Sequence, residues 1–461
     1  MIRVLSVSEM RVLAFALVTL ISLYAPASAQ APHADASGDI SVALAGDAII
    51  TRKLSPFAEP EFLQLRDVIR EAAAAFVNLE ILFHNYEDDI IPQAQSGGTY
   101  MRARPEIAQE LAWMGFDLVS RANNHTMDYG VGGMRATTRA VEAAGLVHAG
   151  AGENLALARA PAYLETPGGR VALISVASTF ADPARAGPQR KDHRGRPGLS
   201  PLRYRTQYVI PRPQLDVLRR IREGLGFRIS AQAERVSFMG ATFVAGDDYA
   251  VLTEPHEGDL AEIVASVKDA KRQANWVIVS SHSHEGAGDR EVPAQFLVTF
   301  ARAVIEAGAD IFVGHGPHVL RGIEIHRGRP IFYSLANFIF ENETVERQPA
   351  DNYDSQGLQW DALPSDFYDR RNQRRGGGWP ADPAYWESVV PVVSFSGGEL
   401  EAVRLYPVTL GHGLQRPQYG RPLLARGDLA RKIIENVRRL SEPFGTRVEF
   451  DRGIGVIAAG R

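Results

Sequence analysis

The sequence predicts an α/β sheet protein, and three observations carry that reading. Apolar runs of strand length alternate with segments that carry apolar residues at helical spacing. The composition is that of an ordinary globular chain, with 45% hydrophobic and 23% charged residues among 461. Polar knots of Asp, Asn, Glu and His sit directly behind several of the apolar runs, at the strand ends where α/β sheets keep their chemistry.

The N-terminus lies outside this alternation. Arg3 and Arg11 precede an apolar run from Val12 to Tyr24, and Ala27-Ser28-Ala29 offers a small-residue cleavage site. That layout predicts a signal peptide over 1–29 cleaved after Ala29, and so an exported, periplasmic or extracellular protein. An uncleaved anchor is the second reading, although the run falls short of the ~20 residues a span needs. Residues 30–38 read as a flexible lead-in.

The core elements follow in order. "ISVALAG" (40–46) is the first strand and ends on Asp47; a helical stretch around Glu61 to Ala75 leads into strand "FVNLE" (76–80). "PEIAQELAWMG" (105–115) is a helix with proline in its first turn. Strand "FDLVS" (116–120) then runs into "RANNHTMDYG" (121–130) and a helix from Val131 to Ala144. Strand "VALISVAS" (171–178) precedes a loop rich in Pro, Arg and Gly. An amphipathic helix over 258–274 leads to strand "WVIVSSH" (276–282), and a helix near Pro293 to Ala307 leads to strand "ADIFVGH" (309–315). "GIEIHRGRPIFYSLANFIF" reads as a hairpin turned at Arg327-Gly328. The main domain therefore spans 39–341. Residues 342–386, poor in apolar residues and containing "RRNQRRGGGW", read as a long polar surface insertion, in part without fixed structure. Strands "VVPVVSF" and "LEAVRLYPV", a helix near Leu429 to Leu440 and "GIGVIAA" close the same domain over 387–461.

Composition also excludes some functions. The net charge is -4 with no basic block, which argues against tracking a phosphate backbone, so nucleic acid is not an expected partner. The chain has no cysteine. Disulfides, thiolate metal sites, a lipoprotein cysteine and a cysteine nucleophile are all ruled out.

The strand-end residues form the candidate site. They are Asp47; Asn78 and Glu80; Asn123, Asn124 and His125 with Asp128 a turn later; His282, His284 and Glu285; and His315 and His318. Five of the chain's twelve histidines fall in these motifs, and parallel strands bring their ends to one edge. Asp, Glu, Asn and His without cysteine are the ligand set of a hydrolytic Mn, Zn or Fe site. Such a metal polarises an oxygen and generates hydroxide at neutral pH, while a carboxylate or imidazole left free moves protons. His284 taken by itself reads as a polar loop residue.

These motifs, in this order, resemble the bacterial capsule-synthesis CapA family, the poly-γ-glutamate synthesis proteins. The matching stretches are "LAGDAII", "VNLE", "RANNHTMDYG", "WVIVSSHSHE" and "VGHGPHVLRGIEIHRGRPIFYSLANFIF", spanning roughly residues 40–340. The resemblance implies a metallophosphoesterase-like α/β/β/α sandwich of the calcineurin type. It also implies that Asp47, Glu80, Asn124, His282, His315 and His318 hold one or two divalent ions, and that His125, with Asp128 beside it, protonates the leaving group. Asn78, Asn123, His284, Glu285 and Asn337 are then supporting or substrate-binding positions. Two departures stand out. Ile49 occupies the place of a histidine, and "VNLE" replaces a Gly-Asp motif, so one metal pocket loses a ligand. The implied function is an exported metal-dependent hydrolase of capsule or poly-γ-glutamate biosynthesis. Its substrate would be an anionic envelope polymer or phosphate ester, and its partners capsule-synthesis membrane proteins. A non-catalytic assembly or export factor that keeps a metal- or polymer-binding site is one alternative. A periplasmic phosphoesterase or nucleotidase is the other.

Overall fold

The apolar runs build two sheets rather than the single edge the sequence pattern suggested. The computed structural model describes residues 38–87, 90–227, 234–374 and 379–458. In the first sheet β1 (Ile40–Ile49), β2 (Ala74–Leu79), β3 (Leu118–Ser120) and β4 (Val147–Ala149) run parallel in that order. In the second, β5 (Gly169–Ala177), β6 (Trp276–His282) and β7 (Ile311–His315) are parallel. The hairpin of β8 (Ile323–His326) and β9 (Arg329–Phe332) continues this sheet beyond β7. The chain then returns to the first sheet. There β10 (Asn337–Phe340) lies parallel to the end of β1, β11 (Glu387–Ser396) lies antiparallel to its start, and β12 (Glu399–Thr409) follows β11.

Side-chain alternation explains the layering. In β1 Val42 and Leu44 face the core between the sheets, while Ala43 and Ala45 face the outer core of the first sheet. In β5 Val171 and Leu173 point inward and Ala172 and Ile174 outward; Ile278 and Val277 divide the same way in β6. With both faces buried, these strands read as continuous apolar runs rather than alternating ones. Helices Pro60–Arg70 and Ala108–Met114 cover the first sheet through Phe62, Leu65, Ile69 and Leu111. Helices Glu257–Lys271 and Gln295–Glu306 cover the second through Ile263, Val267, Phe300 and Val304. The result is the expected α/β/β/α sandwich.

Two segments depart from the sequence reading. Residues 201–256 carried no recognised element. They fold as strands Tyr204–Pro211, Arg235–Phe238, Ala241–Gly246 and Ala250–Pro255 in one small sheet with helix Arg212–Gly224. Most of these strand residues are half-buried or exposed, so no clean polar alternation marks them. The segment 342–386, expected as a polar surface insertion, contains helices Ala350–Gln356 and Pro364–Arg374. It buries Tyr353, Phe367, Tyr368, Trp379 and Trp386 in the outer core of the first sheet. A few large aromatics do the packing there, while charged outer faces dominate the composition. The expected signal peptide and most of the lead-in lie outside the described residues. No helix among the described residues is long and apolar enough to cross a membrane.

Two histidines away from the strand ends give the fold a pH dependence. Burial pushes His84 down to about 4, with the Arg102 charge acting the same way; burial likewise takes His148, on β4, to about 4. In the unfolded chain both bind a proton near 6.5, so between these values the unfolded state holds more protons. Their stabilisation is therefore complete above about pH 6.5 and declines as the pH falls toward 4, by up to ~1.4 kcal/mol per pH unit and group. Urea midpoints followed through this window should fall, and less steeply in His84→Gln. An unchanged slope in that variant contradicts the assignment.

Candidate metal centre

Most candidate side chains stand at or just past the carboxyl end of a strand of the sandwich, and Asn337 opens one. A bulge after Leu44 shifts the register of β1 against β2 and leaves Asp47 fully buried. Gly46 is required beside it, because a Cβ there would come within 1.9 Å of the Ala336 carbonyl oxygen. Gly316 adopts φ +117°, and its N–H donates to Asp47 Oδ2 at 3.0 Å. His318 itself sits in the left-handed region at φ +61°, a conformation that costs a non-glycine residue ~1 kcal/mol or more. The Asn337 side chain holds it there. Its Oδ1 accepts from His318 Nδ1 at 2.8 Å, and its amide donates to the carbonyls of His318 and Tyr385.

Two donor groups result. Asp47, His282 and His315 form the first, and Glu80, His284 and His318 the second; within each group the ligand atoms lie within 4.8 Å of one another. In the first, His282 Nδ1 and His315 Nδ1 are 3.0 Å apart and lie 3.7 and 3.5 Å from Asp47 Oδ1. Ligands 2.0–2.2 Å from a tetrahedral ion stand roughly 3.4 Å from each other, so one ion fits. His282 joins the two groups, because its Nε2 lies 3.0 Å from His284 Nε2 and 3.7 Å from Glu80 Oε1. In the second group Glu80 Oε1 is 3.8 Å from His318 Nε2.

The electrostatics call for a cation. Both Glu80 oxygens are buried without a hydrogen-bond partner, and so is Asn124 Oδ1. Unpartnered buried oxygens are costly, and a divalent ion beside Glu80 would satisfy its carboxylate. Burial lifts Glu80 well above the ordinary carboxylate range, and the Asp47 charge adds to this. Burial acts the same way on Asp47, but hydrogen bonding and charge from His318, with His315 and Asn78, hold it below its usual value. Burial pushes His284 down to about 3 and His315 to about 4, and takes His282 well below the usual imidazole range. At neutral pH these rings are uncharged and offer lone pairs.

The remaining candidates support this arrangement or adjoin it. Asn78 donates to Asp47 Oδ1 at 2.8 Å, and Asn123 donates to Asn78 Oδ1 and to the Leu79 carbonyl. His125 Nδ1 lies 2.7 Å from Asp128 Oδ2. A carboxylate only accepts, so Nδ1 carries the proton and Nε2 is left facing Glu80 Oε1 at 3.9 Å. Asp128 is oriented by the backbone N–H groups of Gly97 and Met101. Asn124 donates to the Gly97 carbonyl, which leaves its orphaned oxygen available to an ion. Glu285 stands apart from both donor groups and accepts from Ser178 and Thr179 instead.

The sequence reading of His284 as a loop residue needs correcting. Two residues past His282, just beyond the end of its strand, it turns its ring to the same side, and that spacing was the available signal. The Ile49 side chain packs in the outer core, so the ligand missing there has no counterpart at the same place, and His284 restores a third donor to the second group. Arg321 was missed altogether. Only 1% exposed, its guanidinium donates to the carbonyls of Ser283, His284 and Arg290 and so holds the loop that carries His284. A charge inside the apolar run "VLRGIEI" was its signature.

Residues 36–342 match the family described as bacterial capsule synthesis protein PGA_cap. The chain is 38% identical over 421 residues to the protein y4sH of Sinorhizobium fredii, covering 89% of this chain and 91% of that one. It is 26% identical over 281 residues to the capsule biosynthesis protein CapA of Bacillus anthracis, covering 59% of this chain and 54% of that one. Among solved structures, a Thermus thermophilus protein aligns over 80% of this chain and 98% of its own, with a TM-score of 0.37 and 13% identity.

Proposed function

From the premise that this chain belongs to the bacterial capsule synthesis (PGA_cap) family, we propose that it is an exported metal-dependent hydrolase of capsule or poly-γ-glutamate biosynthesis, acting on an anionic envelope polymer. The capsule and PGA biosynthesis proteins CapA of Bacillus anthracis and Bacillus subtilis support the biological setting. The observation that carries the chemistry is the buried, unpartnered Glu80 carboxylate standing among the imidazoles of His125, His282 and His318. The donor set fits Mn, Zn or Fe: nitrogen and oxygen atoms, no sulfur, and two groups of three. Asp47, His282 and His315 would hold one ion, and Glu80, His284 and His318, with Asn124, the other. When bound, such ions supply Lewis acidity and lower the pKa of water.

The chain's own residues then do the proton work. Asp128 accepts from His125 Nδ1 and steadies the imidazolium, whose second proton, on Nε2, passes to the leaving group of a substrate placed over Glu80 and leaves the neutral Nδ1–H ring. Asn123 accepts from the His125 backbone N–H, which keeps the loop rigid behind the ring. A phosphate ester is the second substrate class compatible with the same site. Both classes are anionic and suit a site built around cations.

Metal content by mass spectrometry tests the reading, using the chain from Gln30 and its His315→Ala and His284→Ala variants. Two ions in the parent, with one lost from each variant, are expected. A parent that holds no ion after incubation with Mn or Zn overturns the hydrolase and leaves an assembly factor without metal chemistry.

A further inference from the structure

More than half of the large apolar side chains exposed among the described residues fall between 203 and 256. Helix Arg212–Gly224 turns Leu215 into the small sheet and presents Val217 and Ile221 outward, 44% and 49% exposed. Leu225, just past its end, continues the row, since a spacing of four keeps all three on one side. A helix side facing water normally carries charge; this one carries branched apolar groups. Phe227 extends the row and meets Phe238 edge-on at 5.6 Å. The turn after Phe238 puts Met239 out at 83% exposure.

The charge around the row has one sign in excess. Arg220 stands exposed beside it. The helix holds Arg212, Arg219, Arg220 and Arg222 against Asp216 and Glu223; Arg212 pairs with Glu234 and Arg219 with Asp216, so Arg220 and Arg222 are the cations the helix offers an anionic surface. We infer that this face docks on an anionic phospholipid surface, with Val217, Ile221, Leu225 and Phe227 entering the headgroup boundary and the arginines meeting lipid phosphates. An apolar row with basic flanks on a helix too short to span is the pattern of an interfacial helix. The arginines add electrostatic attraction near an anionic leaflet.

The same unit adjoins the loop that follows His284. Strand Tyr204–Pro211 starts near Glu285, with Tyr204 stacked on Phe296 at 4.3 Å and its phenol pushed up to about 12 by burial, the Glu285 charge adding to this. A cleft of about 510 Å³ between Tyr208, Tyr249 and the loop Gly286 to Gly288 opens directly after His284 and Glu285. The inference itself does not depend on bound metal.

Co-sedimentation of the chain from Gln30 with phosphatidylglycerol/phosphatidylethanolamine vesicles, and with phosphatidylcholine vesicles, tests it. Binding to the anionic vesicles is expected, reduced about tenfold or more in Ile221→Glu/Leu225→Glu. Binding should also weaken at roughly 0.5 M salt and in Arg220→Glu. Circular dichroism and an unchanged melting temperature establish that the variants fold. Failure to sediment with anionic vesicles overturns the inference, as does equal binding of parent and double variant or equal binding to both lipid types. A parent that self-associates while Ile221→Glu/Leu225→Glu is monomeric assigns the face to a second copy of the chain and overturns it equally.

Discussion

Replacing Glu80 with glutamine is expected to leave the metal-free chain as stable as the parent and to remove most of the stabilisation that added Mn or Zn confers. Without a cation the carboxyl is fully buried and has no donor, so burial keeps it protonated. Glutamine has nearly the shape of that neutral acid, and the exchange is close to isosteric. With a cation the two differ, because glutamine cannot supply the negative charge. An ion at a hundred times its Kd stabilises the folded state by about 2.7 kcal/mol, and thermal denaturation with and without metal reads that difference directly. Asp47→Asn is the informative contrast. Asp47 accepts from Asn78 and Gly316 as well as facing His318, so its loss costs the metal-free chain about 1–3 kcal/mol too. An undiminished metal-induced shift in Glu80→Gln would falsify the assignment of Glu80 as a ligand.

Most of this site was legible because its chemistry is local to strand ends. Asp47, Asn78, Glu80, His282 and His315 each close or follow a run whose apolar character is unmistakable. A parallel α/β arrangement brings such ends together. The division of the strands between two sheets was harder to read from the runs themselves, because both faces of every central strand are buried and periodicity vanishes; the resemblance supplied it. Other features depended on contacts across long stretches of chain. His318 is placed by Asn337, nineteen residues on, and the loop carrying His284 by a guanidinium 37 residues on. The unit over 203–256 was invisible for a different reason. Its strands pair with each other at the periphery and bury too little to impose an apolar pattern, while its most apolar helix side faces outward.

The segment 342–386 shows composition misleading in the opposite direction, and Trp386 tests how far. Although the segment is polar overall, Trp386 is 1% exposed and packs against Phe340, Trp379 and Tyr419, its ring 4.6 Å from that of Tyr419. Trp386→Ala is therefore expected to destabilise the fold by about 3–5 kcal/mol, the range for emptying a large aromatic from a core. A surface insertion would lose well under 1 kcal/mol, roughly the effect of a substitution away from the core, so urea denaturation separates the two. Trp386→Phe should cost far less, because the indole N–H has no partner where it is buried and its removal leaves nothing unpaired. The same variants probe the metal centre. The carbonyl of Tyr385, the preceding residue, accepts from the Asn337 amide at 3.0 Å, and Asn337 holds the strained His318 ring. Slack introduced at Trp386 passes through one peptide and one amide to a candidate ligand. Trp386→Ala should thus weaken binding at the Glu80, His284 and His318 group more than at the Asp47, His282 and His315 group, with Trp386→Phe near the parent. Equal weakening at both groups would mean that the aromatic cluster supports the sandwich as a whole and does not hold His318 in particular.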